Sequence, residues 1–341
     1  AAQVTDMRAQ APDLHTYICL DQPCGDDPAF EDWCQHFEGE VPPLSEDPKR
    51  MAFIPCTGGT TGRPKGAGLS NRCLEAVAAC TLVSMPSDEP PVHLIAAPIT
   101  HAAGIIAFPL FTQGATQLLM GAVDPEAIMQ MIEKQKVTHL FLPPTVIYVM
   151  LSHPNVRKYD YSSLKYFIYA AAPMSADKLR QAIDVFGPVM VQTYGQAEAP
   201  MLCTFMSAKD HIEALQPGKE HRLTSCGKVT PFTRLAIMDD DGNLLPNNQQ
   251  GEIVIRSALV MEAYYNNPEA TEQSQAYGWH HTGDIATIDD DGFVYIVDRK
   301  SDMIISGGFN VYPSEIEQVI WSHPSVQDCA VIGVPDDKWG E

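Results

Sequence analysis

The residues best suited to chemistry are Thr57-Gly58-Gly59-Thr60-Thr61-Gly62-Arg63-Pro64-Lys65-Gly66, which follow the apolar run 52–55. Glycines let a backbone close on an anion, and the hydroxyls of Thr57, Thr60 and Thr61 can donate to phosphate oxygens. Lys65 adds positive charge. A flexible surface loop is the alternative, but three threonines and three glycines followed by Pro-Lys-Gly within ten residues favour a polyphosphate cradle. It is not a Walker loop, because Lys65 follows Pro64 and precedes Gly66, with no Gly-Lys-Ser/Thr ending.

Other clusters offer less. Two Asp-Asp-Asp-Gly stretches, 239–242 and 289–292, carry adjacent acids and no glutamate where a calcium loop needs one, so they read as hairpin turns. The neighbours His280 and His281 face opposite ways on a strand, which disfavours a shared metal. Against 43 Asp+Glu stand only 22 Lys+Arg, a formal charge of −21, and this argues against a nucleic-acid partner. Nine cysteines without a Cys-x-x-Cys pair suit a reducing cytosol, so a cytoplasmic location is expected. No basic stretch followed by an apolar one is visible near Ala1, so no secretory signal is expected.

The elements that must carry these residues alternate. Hydrophobic residues at 45% rule out disorder and supply at least one large core. A short strand is expected at 16–20, then a Pro-, Gly- and acid-rich connection over 22–48. Beyond the apolar run 51–56, strand-like runs recur at 93–97, 116–119, 139–142, 166–170 and 189–192. Helical spacing appears at 71–84, 126–134 and 177–186, a pattern that predicts a largely parallel α/β sheet. The most apolar stretch, 93–111, is broken by Pro98, His101, Gly104 and Pro109, and reads as strand, loop and helix with no transmembrane segment. After about Gly218 the runs shorten to 234–238, 251–255 and 293–297 with Asp-Gly turns, predicting a β-rich subdomain. A helix is expected at 313–323 and a strand at 328–334.

From the cradle onward the sequence resembles the adenylate-forming superfamily: acyl-CoA synthetases, firefly luciferase and peptide-synthetase adenylation domains. Four further motifs carry the resemblance in the family's order. They are Tyr194-Gly195-Gln196-Ala197-Glu198; Gly251-Glu252-Ile253 through Tyr264-Tyr265-Asn266-Asn267-Pro268-Glu269-Ala270-Thr271; Trp279-His280-His281-Thr282-Gly283-Asp284; and Asp298-Arg299-Lys300-Ser301-Asp302-Met303-Ile304. The resemblance is greatest to acyl-CoA synthetases. It implies a large multi-layer α/β domain with a β-rich subdomain, followed by the truncated start of a small α+β C-terminal domain. The corresponding boundaries are 1–217, 218–299 and 300–341.

The implied reaction is activation of a carboxylic acid by ATP to an acyl adenylate with loss of pyrophosphate, then transfer to coenzyme A. The implied machinery is Lys65 with Thr57, Gly58, Gly59, Thr60, Thr61 and Gly62 on the β and γ phosphates, and Glu198 on Mg²⁺. Tyr194 and Gly195, with Ala171 and Ala172, would border adenine, Asp284 would accept the ribose hydroxyls, and Arg299 would contact ribose or phosphate. His101, Gly104 and Ala171 would border the acyl pocket, and Ser301 would be the hinge. Structural alternatives are a helix-start acid for Glu198, a core tyrosine for Tyr194, a turn residue for Asp284, a surface ion pair for Arg299 and a structural His101. The stretch Pro98–Gly104 has no acid to meet an α-amino group, so an amino-acid substrate is not expected.

The match departs from the family at several points. Ala197 stands where relatives commonly have a threonine donor to the α-phosphate, Ala171 where they often have glycine, and Ser301 where an Asp or Lys is usual. The lysine of the family's small domain is missing up to Glu341, so the chain is expected to be a fragment that binds nucleotide weakly without turnover. Two rival functions share these motifs: a non-catalytic nucleotide-binding module and a luciferase-like adenylating oxygenase. The expected partner is a small-molecule acid.

Overall fold

Alternating β-branched runs and amphipathic stretches build a mixed α/β protein in the computed structural model. It describes residues 7–20, 22–35, 39, 46–57, 64–306, 309–321, 326, 329–336 and 339. Contacts divide the chain into two units, 1–46 and 47–341. In the first, Phe30–Cys34 forms a short helix, and the strand expected at 16–20 is reduced to one bridge between Cys19 and Ala29. The proline- and acid-rich connection supplies no partner run there to satisfy a ladder of backbone groups.

The second unit begins with β1 (Met51–Phe53) and β2 (Ala67–Ser70), on either side of the cradle loop. Next come β3 (Val92–Ile95), β4 (Thr116–Leu119), β5 (His139–Phe141), β6 (Tyr166–Tyr169), β7 (Met190–Gln196), β8 (Ala199–Met206) and β9 (Lys228–Val229). These seven form a sheet of order β4-β3-β5-β6-β7-β8-β9, parallel through β7 and antiparallel beyond it. Residues 93–111 resolve into β3, a loop and the helix Ala102–Phe111, as their punctuation implied. Among the described residues no helix is long and apolar enough to cross a membrane.

Helices cover both faces of this sheet. On one, Ile128, Met129 and Ile132 of Pro125–Gln135 and Leu179 and Phe186 of Ala176–Phe186 pack on Leu94, Leu140 and Phe167. On the other, Cys73, Val77 and Cys80 of Asn71–Ser84 and Ile105 and Leu110 of Ala102–Phe111 pack on Ile95, Phe141, Ile168 and Val191. Each fully buried aliphatic contributes about 1.5–3 kcal/mol relative to exposure. Side-chain caps start the helices: Ser70 accepts from Cys73 N, Asp124 from Ala127 N and Ser175 from Lys178 N.

The β-rich part holds β10 (Thr233–Met238), β11 (Leu244–Leu245), β12 (Gly251–Ser257), β13 (Ala263–Tyr264), β14 (His280–Ile288) and β15 (Val294–Arg299). Five of them make an antiparallel sheet, β11-β10-β12-β14-β15, whereas β13 joins β1 and β2. The two Asp-Gly stretches are its hairpin turns. Asp239 Oδ1 accepts from the backbone N–H groups of Asp241 and Asn243, and Asp289 Oδ1 from those of Asp291 and Phe293. These aspartates satisfy the turns themselves. Among the described residues no group of three or more His, Cys, Asp and Glu could hold a metal. The chain continues through β16 (Ile304–Ser306), β17 (Phe309–Val311) and the helix Pro313–Trp321. The strand expected over 328–334 is not formed by the described residues 329–334; Val331 N donates instead to Glu317 Oε1 at 2.8 Å. Multiple sheets within a mixed α/β chain agree with the fold class expected from the motifs.

Candidate active site

Parallel α/β sheets collect binding residues at the carboxyl ends of their strands, where loops leave without needing to satisfy the sheet. Here the loop and helix start after β3 bring His101 and Gly104, the loop after β6 brings Ala171 and Ala172, and the end of β7 with its following turn brings Tyr194 through Glu198. Motif segments scattered over a hundred residues thus share one edge.

The best-defined cluster surrounds Asp284, only 4% exposed. It stands within a strand and is not the turn residue that was the structural alternative. It lies inside β14, where residues 282–284 bulge out between the pairs Val254–His281 and Glu252–Ile285. Such a bulge re-aims side chains. It is held by Thr282 Oγ1 donating to the Ile253 carbonyl (2.9 Å) and Gly283 N donating to Glu252 Oε1 (2.9 Å). Tyr194 Oη donates to Asp284 Oδ2 at 2.6 Å and Gln196 Nε2 to the same oxygen at 3.3 Å, while Arg299 Nε stands 3.1 Å from Oδ1. Burial pushes the Asp284 carboxyl above the ordinary aspartate value, and these three neighbours pull it back down. Burial and the facing carboxylate hold the Tyr194 phenol well above its usual range, so it remains a donor.

Arg299 is paired with Asp284 across the β14–β15 ladder, and its half-exposed side chain forms an ion pair with that buried carboxylate. Next to it, Lys300 meets Asp240 Oδ1 at 2.6 Å and Glu252 Oε2 at 3.7 Å, and its backbone N donates to the Gly283 carbonyl. The bond to Asp240 is the main reason its ammonium pKa is raised. Ser301 follows as an exposed turn residue, its hydroxyl donating to Asp302 Oδ1 at 2.8 Å.

A second cluster joins Lys65 and Glu198. Thr57 N donates to the Lys65 carbonyl at 2.8 Å, and Cys56 bridges Gly66, so the cradle loop is pinched at its base. Gly58, Gly59, Thr60, Thr61, Gly62 and Arg63 lie outside the described residues. Lys65 Nζ lies 4.5 Å from the centre of the Tyr264 ring, and Tyr264 Oη donates to Glu198 Oε1 at 2.5 Å. Glu198 starts no helix; it occupies the turn between β7 and β8. Sequence reasoning left Gln196 and Tyr264 without roles although both sat in quoted motifs. Gln196 also donates to the Thr282 carbonyl and meets His280 Nε2 at 3.1 Å. His280, its pKa lowered by burial, and His281, on Glu252 Oε2 at 3.1 Å, do face different partners.

The residues expected at the acyl pocket, His101, Gly104 and Ala171, share no contact with either cluster in the hydrogen bonds and ion pairs of the described residues. His101 is exposed at the start of Ala102–Phe111, its Nδ1 2.9 Å from Thr100 Oγ1. A Cβ on Gly104 would stand 1.9 Å from the Ile99 carbonyl oxygen, and one on Gly195 2.4 Å from Met201 N. Both glycines therefore serve close backbone approach. Ala171 has φ +74°, a conformation that favours glycine, which accounts for the glycine common there in relatives. Beside this loop Ile95, Ala97, Ile99, Leu119 and Val123 line an open, largely apolar cavity of about 210 Å³. A larger one of about 410 Å³ is bordered by Tyr159–Leu164 and Asp184–Val189, and none of the motif residues lines it.

A family model described as AMP-binding enzyme matches residues 1–265. The chain belongs to the AMP-binding enzyme family. A second model, the AMP-binding enzyme C-terminal domain, matches residues 315–341. Among curated relatives, the chain is 38% identical over 294 residues to a medium/long-chain fatty acid–CoA ligase of Mycobacterium tuberculosis, covering 86% of this chain and 50% of the ligase. It is 37% identical over 308 residues to a feruloyl-CoA synthase of an Amycolatopsis species, covering 89% of this chain and 60% of the synthase. The chain thus spans about half to three-fifths of these relatives. Its fold is similar to that of the amide bond synthetase of Marinactinospora thermotolerans, with a TM-score of 0.86 and 30% identity over 99% of this chain and 65% of the synthetase. It is also similar to the O-succinylbenzoate–CoA synthetase of Bacillus subtilis in complex with ATP and magnesium, with a TM-score of 0.80 and 28% identity over 92% of this chain and 64% of that one.

Proposed function

We propose that the gene product carrying this chain is an acyl-CoA ligase that joins a carboxylic acid to AMP and then to coenzyme A. The observation that carries the reading is the buried Asp284 carboxylate with Tyr194 and Arg299 on its two oxygens; Tyr194 lies on β7, whose following turn carries Glu198, and Tyr264 links Glu198 to Lys65. A carboxylate has about four acceptor positions, so Asp284 can exchange these donors for ribose hydroxyls. Tyr194 then turns its ring to adenine, and Arg299 is released toward ribose or phosphate.

In the first step a substrate carboxylate oxygen bonds to the α-phosphorus, and the bond to the β-phosphate oxygen breaks, its electron pair leaving with pyrophosphate. Two anions meet, so the site must neutralise charge. Lys65 and Thr57 do so at the β and γ phosphates. Glu198 fits a hard cation: Oε1 takes the Tyr264 hydroxyl, and no hydrogen bond among the described residues reaches Oε2. Glu198 would hold Mg²⁺, which when bound supplies charge neutralisation to the phosphates. In the second step the thiol sulfur bonds to the acyl carbon, AMP leaves, and the thiol proton passes to solvent. Residues 300–341 would form the mobile part, turning at Ser301.

The largely apolar cavity lined by residues 95–99 and 119–123, which His101, Gly104 and Ala171 do not border, and the acid-free loop before Gly104 support a fatty or aryl acid, the classes in the relatives' names. Nine cysteines, none of them in a disulfide, support a reducing, cytoplasmic location. The likeness to an amide bond synthetase favours a second reading, with an amine in place of the thiol as acceptor. A panel of fatty and aryl acids, assayed with the gene product for pyrophosphate exchange and for AMP release with coenzyme A or an amine, separates them. Exchange with at least one acid and coenzyme A-dependent AMP release are expected. AMP binding without exchange for any acid would leave a nucleotide-binding module instead.

A further inference from the structure

Lys65 and Glu198 carry opposite charges at one site, and a direct ion pair between them would consume the two groups that nucleotide and metal need. The structure places Tyr264 between them. The ring takes the ammonium at 4.5 Å and the hydroxyl takes one carboxylate oxygen at 2.5 Å. Its position is fixed from several sides. Tyr264 pairs with Ala67 in the β13–β2 ladder, Tyr265 N donates to the Gly66 carbonyl at 2.8 Å, and Tyr264 N donates to Thr271 Oγ1 at 2.9 Å. Three residues earlier, Met261 N donates to the Glu198 carbonyl at 2.7 Å. The segment 261–265 is therefore bonded both to the turn that bears Glu198 and to the strand that leaves the cradle. Tyr264 is 7% exposed, so its hydroxyl bond to Glu198 is shielded from water.

We propose that Tyr264 is a positioning residue that couples the phosphate-binding lysine to the metal-binding carboxylate. Its hydroxyl fixes the carboxylate with Oε1 occupied and Oε2 presented to the cation. Its face parks Lys65 by cation–π attraction, short of the carboxylate and ready to move to phosphate. This rests on the reading of Glu198 as the Mg²⁺ carboxylate.

The test is calorimetric binding of ATP to the gene product across a Mg²⁺ series, with AMP in Mg²⁺-free buffer as reference and thermal melting to verify folding. Tyr264→Phe keeps the ring and removes the hydroxyl. It is expected to raise the Mg²⁺ concentration for half-maximal enhancement of ATP binding about 10-fold, as loss of a hydrogen bond to a charged group implies. AMP affinity should stay within about two-fold. Equal weakening of ATP and AMP with an unchanged Mg²⁺ midpoint would reduce Tyr264 to a packing role and overturn the proposal. Glu198→Gln separates the two layers of the argument. If it raises the Mg²⁺ requirement and Tyr264→Phe does not, the coupling falls and the metal reading stands; if neither does, both fall.

Discussion

Replacing Tyr194 by Phe removes one oxygen atom and, with it, the 2.6 Å bond to the Asp284 carboxylate. The ring is retained, so packing against the neighbouring Ile253 and Val294 cluster changes little. What is lost is a hydrogen bond to an ionised, buried acceptor, worth about 1.5–3 kcal/mol. Arg299 at 3.1 Å and Gln196 at 3.3 Å remain, so the carboxylate is weakened in support and not abandoned. The effect must depend on pH. Burial raises the folded-state pKa of Asp284 above 3.8, and the Tyr194 hydroxyl lowers it, so Tyr194→Phe raises it further. A raised carboxyl favours the fold below its unfolded pKa and loses that contribution as pH rises through the folded pKa. The variant should therefore lie below the parent by the full amount at neutral pH and converge on it as Asp284 protonates in acid. Urea titrations at pH 7 and at stepwise lower pH measure this, and with a slope of about 3 kcal/mol/M the neutral-pH midpoint shifts by roughly 0.5–1 M. Saturating AMP should reduce the deficit, because ribose hydroxyls supply donors to the same carboxylate. A deficit that stayed constant with pH would refute the argument, since it would belong to the ring's packing and not to the bond.

Ala171→Gly should stabilise the chain by up to about 1.5 kcal/mol. Relief of an L-residue at φ +74° returns about 1–2 kcal/mol, and glycine's greater unfolded freedom removes about 0.5–1. A lowered urea midpoint would show that the methyl packs usefully. The cross-strand neighbours His93 and His139 are fully buried, with pKa values lowered by burial from 6.5 to about 4 and about 3. Buried neutral imidazoles contribute stability above pH 6.5 that is lost as pH falls toward their folded pKa values. His139→Gln should flatten the loss between pH 6.5 and 4, as read by urea midpoints, and an unchanged slope would count against it.

Much of the architecture was legible before folding. The helix expected at 71–84 is formed over Asn71–Ser84, and the strand expected at 116–119 over Thr116–Leu119, because apolar spacing and local caps decide such elements within their own few residues. Residue type and order along the chain also suffice for the resemblance that singles out Lys65, Tyr194, Glu198, Asp284 and Arg299 as candidates. The strand expected at 16–20 failed for the complementary reason: a strand depends on a partner that periodicity cannot supply. Only the tertiary structure determined who meets whom. The bulge at 282–284 depends on pairing with β12, and it turns Asp284 from an edge residue into a buried carboxylate beneath Tyr194. Tyr264 stands between Lys65 and Glu198 because β13 leaves its neighbours in sequence and pairs with β2, almost two hundred residues earlier. Contacts of that range follow from backbone hydrogen bonding and burial over the whole chain, which no local window of sequence contains.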